Sequence, residues 1–482
     1  MKLSQNASGL SRREAFANTG LAAASLFVGV GAASRATAAP AVKQDDLAKL
    51  VANTPFVDTH EHIVEEDQRT GWSQPRPRLP CNDWALLFSH YLDADLKVAG
   101  MPPQALTQLL SPDLPPERKW SLLEPYWPAV KHTGYGRAVR LAIQRLYGVG
   151  DLEAKTIRRV AEGYRRWVKP GFYARLLGEQ AGVESCQVNS LEAPFMESQQ
   201  PLLLMQDLSI LGFSAYAGNW GRLTDQDGRK ASDLAGCHRV IGHYFEKYGP
   251  YAVAVKTQIA YQRRLDFADV APEQAAEPCR KLLANEPVTP EERKALDDHL
   301  FWYCVRQATA KGLPVKLHTG YYAGHDSMPL DRVGANPGDV SALLRGAPET
   351  TFVLMHIGYP FQEQMVALAK QYHNAVIDLC WAWIINPVAA ERFLRDFLVT
   401  APANKLLTFG GDYIPVEPVV GHAAIAREGI VQALRRLVAE DWLSLREAAD
   451  LVELLMRGNA RRIFRVEEKQ QALRRAPWLK TG

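Results

Sequence analysis

From about residue 180 onward, short apolar runs recur with helical patterns set between most of them, and this alternation constrains the fold more than any other feature of the chain. Residues 182–189, 202–208, 251–258, 314–318, 351–356, 374–379 and 405–410 read as strands. Residues 297–310 and 361–372 carry helical spacing between strands, and 423–437 and 445–457 read as closing helices. An eighth strand lies far upstream, in Pro55-Phe56-Val57-Asp58-Thr59-His60-Glu61-His62. Eight strands alternating with helices predict an α/β protein whose parallel sheet closes into a (β/α)8 TIM barrel. The 482 residues suffice for such a barrel with insertions as one unit, 40–482.

The first strand is separated from the second by a long stretch rich in aromatic residues, including Trp84, Tyr91, Trp120, Tyr126, Trp127, Tyr135, Tyr147, Tyr164 and Trp167. Residues 138–146 and 156–167 carry helical spacing there. An ordinary step from strand to strand is far shorter, so a helical insertion after strand 1, about 65–175, is expected to form a cap.

The upstream strand ends in two histidines spaced i, i+2, whose side chains point to one face of a strand. Paired imidazoles at the end of a buried strand suit a divalent metal, zinc above all, for which neutral imidazole is a preferred ligand. A lone pair of this kind says little. The pair gains weight from Lys256 in strand four, His318 ending strand five, His356 ending strand six and Asp412 just beyond strand eight. Barrel active sites gather at the C-terminal ends of the strands, so these positions converge on one mouth. A buried histidine usually satisfies a core hydrogen bond, but that reading would have to hold at several strand ends at once.

The ordered set HxH, His, His, Asp, with Asn459-Ala460 opening the terminal segment, resembles the amidohydrolase superfamily of metal-dependent barrels, and within it the amidohydrolase-2 branch. That branch contains aminocarboxymuconate-semialdehyde-type decarboxylases and many hydrolases; uronate isomerases are more distant cousins. The resemblance covers roughly 50–65 and 180–465. It implies His60, His62, His318 and Asp412 as metal ligands, with Asp412 also accepting a proton from metal-bound water. His356 is then a catalytic histidine, a supporting one, or a ligand of a second ion. Lys256 bridges two metals if it is carbamylated, as in binuclear members; otherwise it pairs with a substrate carboxylate or is a satisfied barrel lysine. One or two divalent ions, Zn2+ by the donor set, are implied.

The expected activity is therefore metal-dependent hydrolysis of a C–N or C–O bond in a small, carboxylated substrate. A decarboxylase or a uronate-isomerase-like enzyme uses the same residues, and a non-catalytic metal-binding or ligand-binding barrel is a third reading. Tyr321, Tyr322 and Trp381 follow strands and are candidates for substrate contact, as are Trp383 and Tyr413. Trp84, His90, Tyr126, Trp127 and Tyr135 are candidates from the cap. Arg263 and Arg264 read as a solvated loop after strand four, from which one guanidinium, that of Arg264, is a candidate for a substrate carboxylate. Of the other histidines only His325, in the long loop after strand five, invites a role.

Residues 1–39 carry Lys2, Arg12, Arg13 and Arg35 against Glu14, which accounts for the whole formal charge of +3. The remainder is neutral, with no basic stripe, which argues against nucleic acid and anionic membrane as partners. Arg12-Arg13, an apolar stretch from Gly20 to Ala33 and the small-residue site Ala36-Thr37-Ala38 resemble a cleaved twin-arginine signal. The expected partners are the twin-arginine translocation machinery during export and a small-molecule substrate afterwards; a homo-oligomer is left open. The expected location is the periplasm or the exterior, with no membrane attachment after cleavage. Six scattered cysteines allow a disulfide or two in such a compartment without indicating which pair.

Overall fold

Eight parallel strands carry the fold in the computed structural model, which describes residues 44–72, 79–214, 217–325 and 327–479. The strands are β1 (Phe56–Glu61), β2 (Val183–Val188), β3 (Leu204–Gln206), β4 (Val255–Thr257), β5 (Val315–His318), β6 (Phe352–Met355), β7 (Ala375–Asp378) and β8 (Leu406–Leu407). The first three form one sheet and the last five another, and every neighbouring pair is parallel. Nearly every strand residue is buried, as expected for parallel strands covered on both faces.

Backbone hydrogen bonds cross both gaps between the sheets. Val253 N donates to Gln206 O at 3.0 Å and Leu208 N to Ala254 O at 2.8 Å. On the other side Thr59 N donates to Phe409 O at 3.0 Å, Asp412 N to His60 O at 2.8 Å and His62 N to Tyr413 O at 2.9 Å.

Each expected strand contains an observed one, but several are shorter. Residues 405–410 reduce to β8 because Gly410 and Gly411 lead into Asp412, whose φ of 62° turns the chain out of the extended region. The helix expected over 297–310 begins at Pro290. Its first two turns are polar and show no apolar period, yet Thr289 and Glu292 form a capping box and Pro290 occupies the first helical position.

Between β1 and β2 lies a run of short helices, of which α1 (Gly134–Tyr147) is the longest. Thr133 caps it by accepting from Gly136 N, and Gly148 ends it at φ 66°. Its buried face (Ala138, Val139, Ala142, Ile143 and Leu146) packs on α2 (Pro418–Ala439). The two backbones meet so closely at Gly421 that a Cβ there would lie 1.8 Å from Ala138 O. This contact ties the helices after β1 to the helix after β8. The twin-arginine segment expected at 1–39 lies outside the described residues.

Candidate metal and active site

The C-terminal ends of β1, β5, β6 and β8 deliver His60, His62, His318, His356 and Asp412 to one cavity of about 470 Å³. The register of β1 against β2 is irregular between Asp58 and Glu61, the stretch that carries His60. His60 Nε2 lies 3.2 Å from Asp412 Oδ1, and His62 Nε2 lies 3.4 Å from the same oxygen. The ligand atoms of these three residues all lie within 4.8 Å of one another. His356 and Cys380 form a similar group with Asp412. His318 stands outside both groups, with its ring 4.5 Å from that of His356.

Hydrogen bonds assign the tautomers. His62 Nδ1 donates to Asn189 O at 2.7 Å, which leaves a lone pair on Nε2, facing Asp412. His356 Nδ1 donates to Cys380 O at 3.2 Å, and His318 Nε2 donates to Tyr321 O at 3.0 Å. Burial, followed by the charge of Lys256, holds His60 and His318 well below the usual histidine range. Burial likewise holds His356 down, aided by His318 and Lys256. Neutral imidazoles are the form that binds metals.

Burial pushes Asp412 up to about 7, against a lowering hydrogen bond from Tyr91 and the charge of Lys256. His60 Nδ1 and Nε2 are buried without a hydrogen-bond partner. A ring with neither nitrogen satisfied, beside a carboxylate that burial makes costly to ionise, fits a cation held by His60, His62 and Asp412. Backbone strain gathers at the same strand ends: His356 has φ 65°, Trp381 64° and Asp412 62°. Non-glycine residues in this left-handed region cost on the order of 1–3 kcal/mol each and cluster at functional sites.

Beneath the histidines lies a buried layer of charge. Lys316 Nζ reaches Asp207 at 2.8 and 2.9 Å and Thr59 O at 2.8 Å. Asp58 accepts from the backbone N of His60 and Gly411, and burial raises it to about 7. Asp378 accepts from Thr59 Oγ1 at 2.7 Å and Cys380 N at 2.8 Å. These carboxyls brace the backbone that carries the histidines and Asp412. The sequence showed them only as charged letters inside apolar strands.

Lys256 pairs in register with Lys316, and its Nζ sits 3.0 Å from Met355 Sδ. Burial lowers it to about 8. It does not line the cavity. Arg264 points elsewhere: its guanidinium spans both oxygens of Asp339 at 2.6 and 3.2 Å. Tyr321 stacks on Trp381 with ring centres 5.7 Å apart, and the Tyr322 hydroxyl accepts from Arg332 Nε at 3.0 Å. Trp383 is a core anchor, donating to Thr408 O at 2.8 Å. Of the aromatic residues expected after the strands, Tyr321, Tyr322, Trp381, Trp383 and Tyr413, none lines the cavity directly; Trp381 reaches it through His356, ring centres 5.7 Å apart, whereas His90, expected from the cap, does line it.

The walls join the expected His90 and His325 to residues that carried no signal in the sequence. His90 and Tyr91 enter from the helical segment after β1, Leu191 from beyond β2, Gln258, Tyr261 and Gln262 from beyond β4, and His325 from beyond β5. His90 Nδ1 accepts from Ile414 N at 3.3 Å, which places its proton on Nε2. Gln258 Nε2 lies 3.1 Å from His62 Nε2.

Residues 238–466 match the amidohydrolase family model. The matched amidohydrolase segment contains His318, His356 and Asp412, while β1 with its two histidines lies upstream of it. Protein fluG of Emericella nidulans is 29% identical over 178 residues, a match covering 34% of this chain and 20% of fluG. The chain thus spans about a fifth of the length of that curated relative. Among solved structures, a uronate isomerase from Thermotoga maritima superposes with a TM-score of 0.70 at 14% identity, covering 87% of this chain and 97% of its own. A glucuronate isomerase from Caulobacter crescentus gives 0.68 at 16%, covering 91% and 95%. At these identities the likeness is one of fold, an α/β arrangement of parallel strands.

Proposed function

We propose that this chain is a metal-dependent hydrolase built on a closed (β/α)8 barrel, with one divalent ion held by His60, His62 and Asp412. The observation that carries this reading is the convergence of His60 Nε2 and His62 Nε2 on one oxygen of Asp412, at 3.2 and 3.4 Å, inside a cavity. The backbone bonds across both sheet gaps support closure. When bound, a divalent ion, zinc by the donor set, supplies Lewis acidity beside the reacting bond.

The chain's own groups do the rest. Asp412, whose Oδ1 faces both His60 and His62 in the cavity, is the carboxylate placed to accept a proton beside the held ion. Tyr91 orients that carboxylate by hydrogen bonding to it. His90 offers its Nε2 proton to a substrate oxygen, and Gln258 and Gln262 line the same wall. With Arg264 tied to Asp339, the described wall recognises polar, hydrogen-bonding groups through imidazole, amide and phenol. The substrate is then a small polar molecule with a C–N or C–O bond to cleave.

A second reading is favoured by the Tyr91–Asp412 contact. A phenol on a carboxylate makes a proton-transfer pair that requires no water, which suits isomerisation. Turnover of amides, lactones and sugar acids in heavy-oxygen, deuterated water separates the two. Heavy oxygen in the product supports hydrolysis; deuterium on a substrate carbon without new oxygen supports isomerisation. Export by residues 1–39 belongs to the same proposal, and N-terminal sequencing of protein recovered outside the cytoplasm tests it.

A further inference from the structure

Away from the site, helices α3 (Leu234–Tyr248) and α4 (Pro272–Leu283) pack together and bring Cys237 Sγ to 3.5 Å from Cys279 Sγ. Both are free thiols and both are buried. The cavity lies elsewhere, and neither cysteine belongs to a group of side chains that could hold a metal among the described residues. His238, next along α3, faces His299 with nitrogens 2.9 Å apart. The two sulfurs therefore have each other as partners.

We propose that Cys237 and Cys279 are a modification site, taking up an intramolecular disulfide from a disulfide donor. A disulfide holds its sulfurs about 2.05 Å apart, so the pair must close by about 1.5 Å, within reach of side-chain rotation. Pro278 precedes Cys279 inside α4 and removes a backbone donor from the helix, which loosens the turn that has to give.

The exchange balances. The Cys279 thiolate attacks one sulfur of the donor, forming a mixed disulfide and releasing one donor thiolate. Cys237 gives its proton to that thiolate and attacks the Cys279 sulfur, expelling the second donor thiolate, which takes a proton from solvent. The proton first lost by Cys279 goes to solvent, so protons balance. The protein loses two hydrogens, and the donor disulfide is reduced to two thiols. A hydrogen bond with Cys237 already holds Cys279 below the ordinary thiol range, which makes Cys279 the first nucleophile.

The bond would join residues 42 positions apart. The loop it closes contains β4 and the turn that carries Gln258, Tyr261 and Gln262, three residues of the cavity wall. Oxidation thus braces one wall of the site without touching its chemical groups.

The test uses the full chain, reduced and then incubated with oxidised glutathione, alkylated with iodoacetamide in denaturant, digested and read by mass spectrometry. The expected result is a cross-linked peptide joining Cys237 to Cys279, with alkyl groups on Cys81, Cys186, Cys304 and Cys380. The oxidised protein should melt a few degrees higher than the reduced one. Cys237→Ser, or Cys279→Ala should the first variant not fold, should lose both the cross-link and the shift. Six alkylated thiols after exposure, glutathione retained on either cysteine, or a cross-link through another cysteine would each overturn the proposal.

Discussion

The hydroxyl of Tyr91 donates a hydrogen bond to the carboxylate of Asp412, joining the helical segment after β1 to the end of β8. Tyr91 holds φ 69°, so the backbone is bent to present this side chain. The bond stabilises the ionised carboxylate and lowers Asp412 against the upward push of burial. Tyr91→Phe should therefore raise the Asp412 pKa, moving the acid limb of the pH–rate profile to higher pH. Turnover should fall by about 10- to 100-fold at neutral pH with metal content unchanged. An unmoved acid limb would mean that Tyr91 only fills space.

Lys316 and Asp207 are both fully buried, and removing one leaves the other charge without its partner. Lys316→Met should cost about 3–5 kcal/mol in urea unfolding, and Lys316→Met with Asp207→Leu should recover a large part of that loss. Equal losses in the single and double variants would show that the pair contributes through packing rather than charge.

His422 is buried between the rings of Phe409 and Tyr413, and burial pushes its pKa from 6.5 down to about 3. The unfolded chain takes a proton near 6.5 while the folded chain stays neutral, so the contribution of His422 is complete above that pH. It is lost as pH falls from 6.5 towards 3, at about 1.4 kcal/mol per pH unit. His422→Gln should remove this dependence and flatten the acid side of melting temperature against pH relative to the parent. Parallel curves would contradict the assignment.

The parts of the site that end strands were legible because one polar residue closes an otherwise apolar run: His318 after Val315-Lys316-Leu317, His356 after Phe352-Val353-Leu354-Met355. Tyr91, Gln258 and Tyr261 escaped because they arise from loops and a helical segment, where no periodicity marks the side that faces the cavity. Lys316 and Asp207 stand 109 residues apart, and only the adjacency of β3, β4 and β5 brings them together. Arg264 misled for the opposite reason. A guanidinium near a strand end suits a substrate carboxylate, but Asp339 was the nearer anion. The strands themselves were legible by run length; β4 shrank because Val253 and Ala254 bond across the sheet gap to Gln206 and Leu208, and β8 because the chain turns out at Asp412.

The central claim is that His60, His62 and Asp412 hold one divalent ion. Metal content per chain, measured on purified protein and on a His60→Asn, His62→Asn double variant, tests it most directly. The account predicts one ion per chain in the parent, little or none in the double variant, and an unmodified Lys256 by mass. Two ions with a carbamylated Lys256, or an ion retained when both histidines are gone, would contradict it.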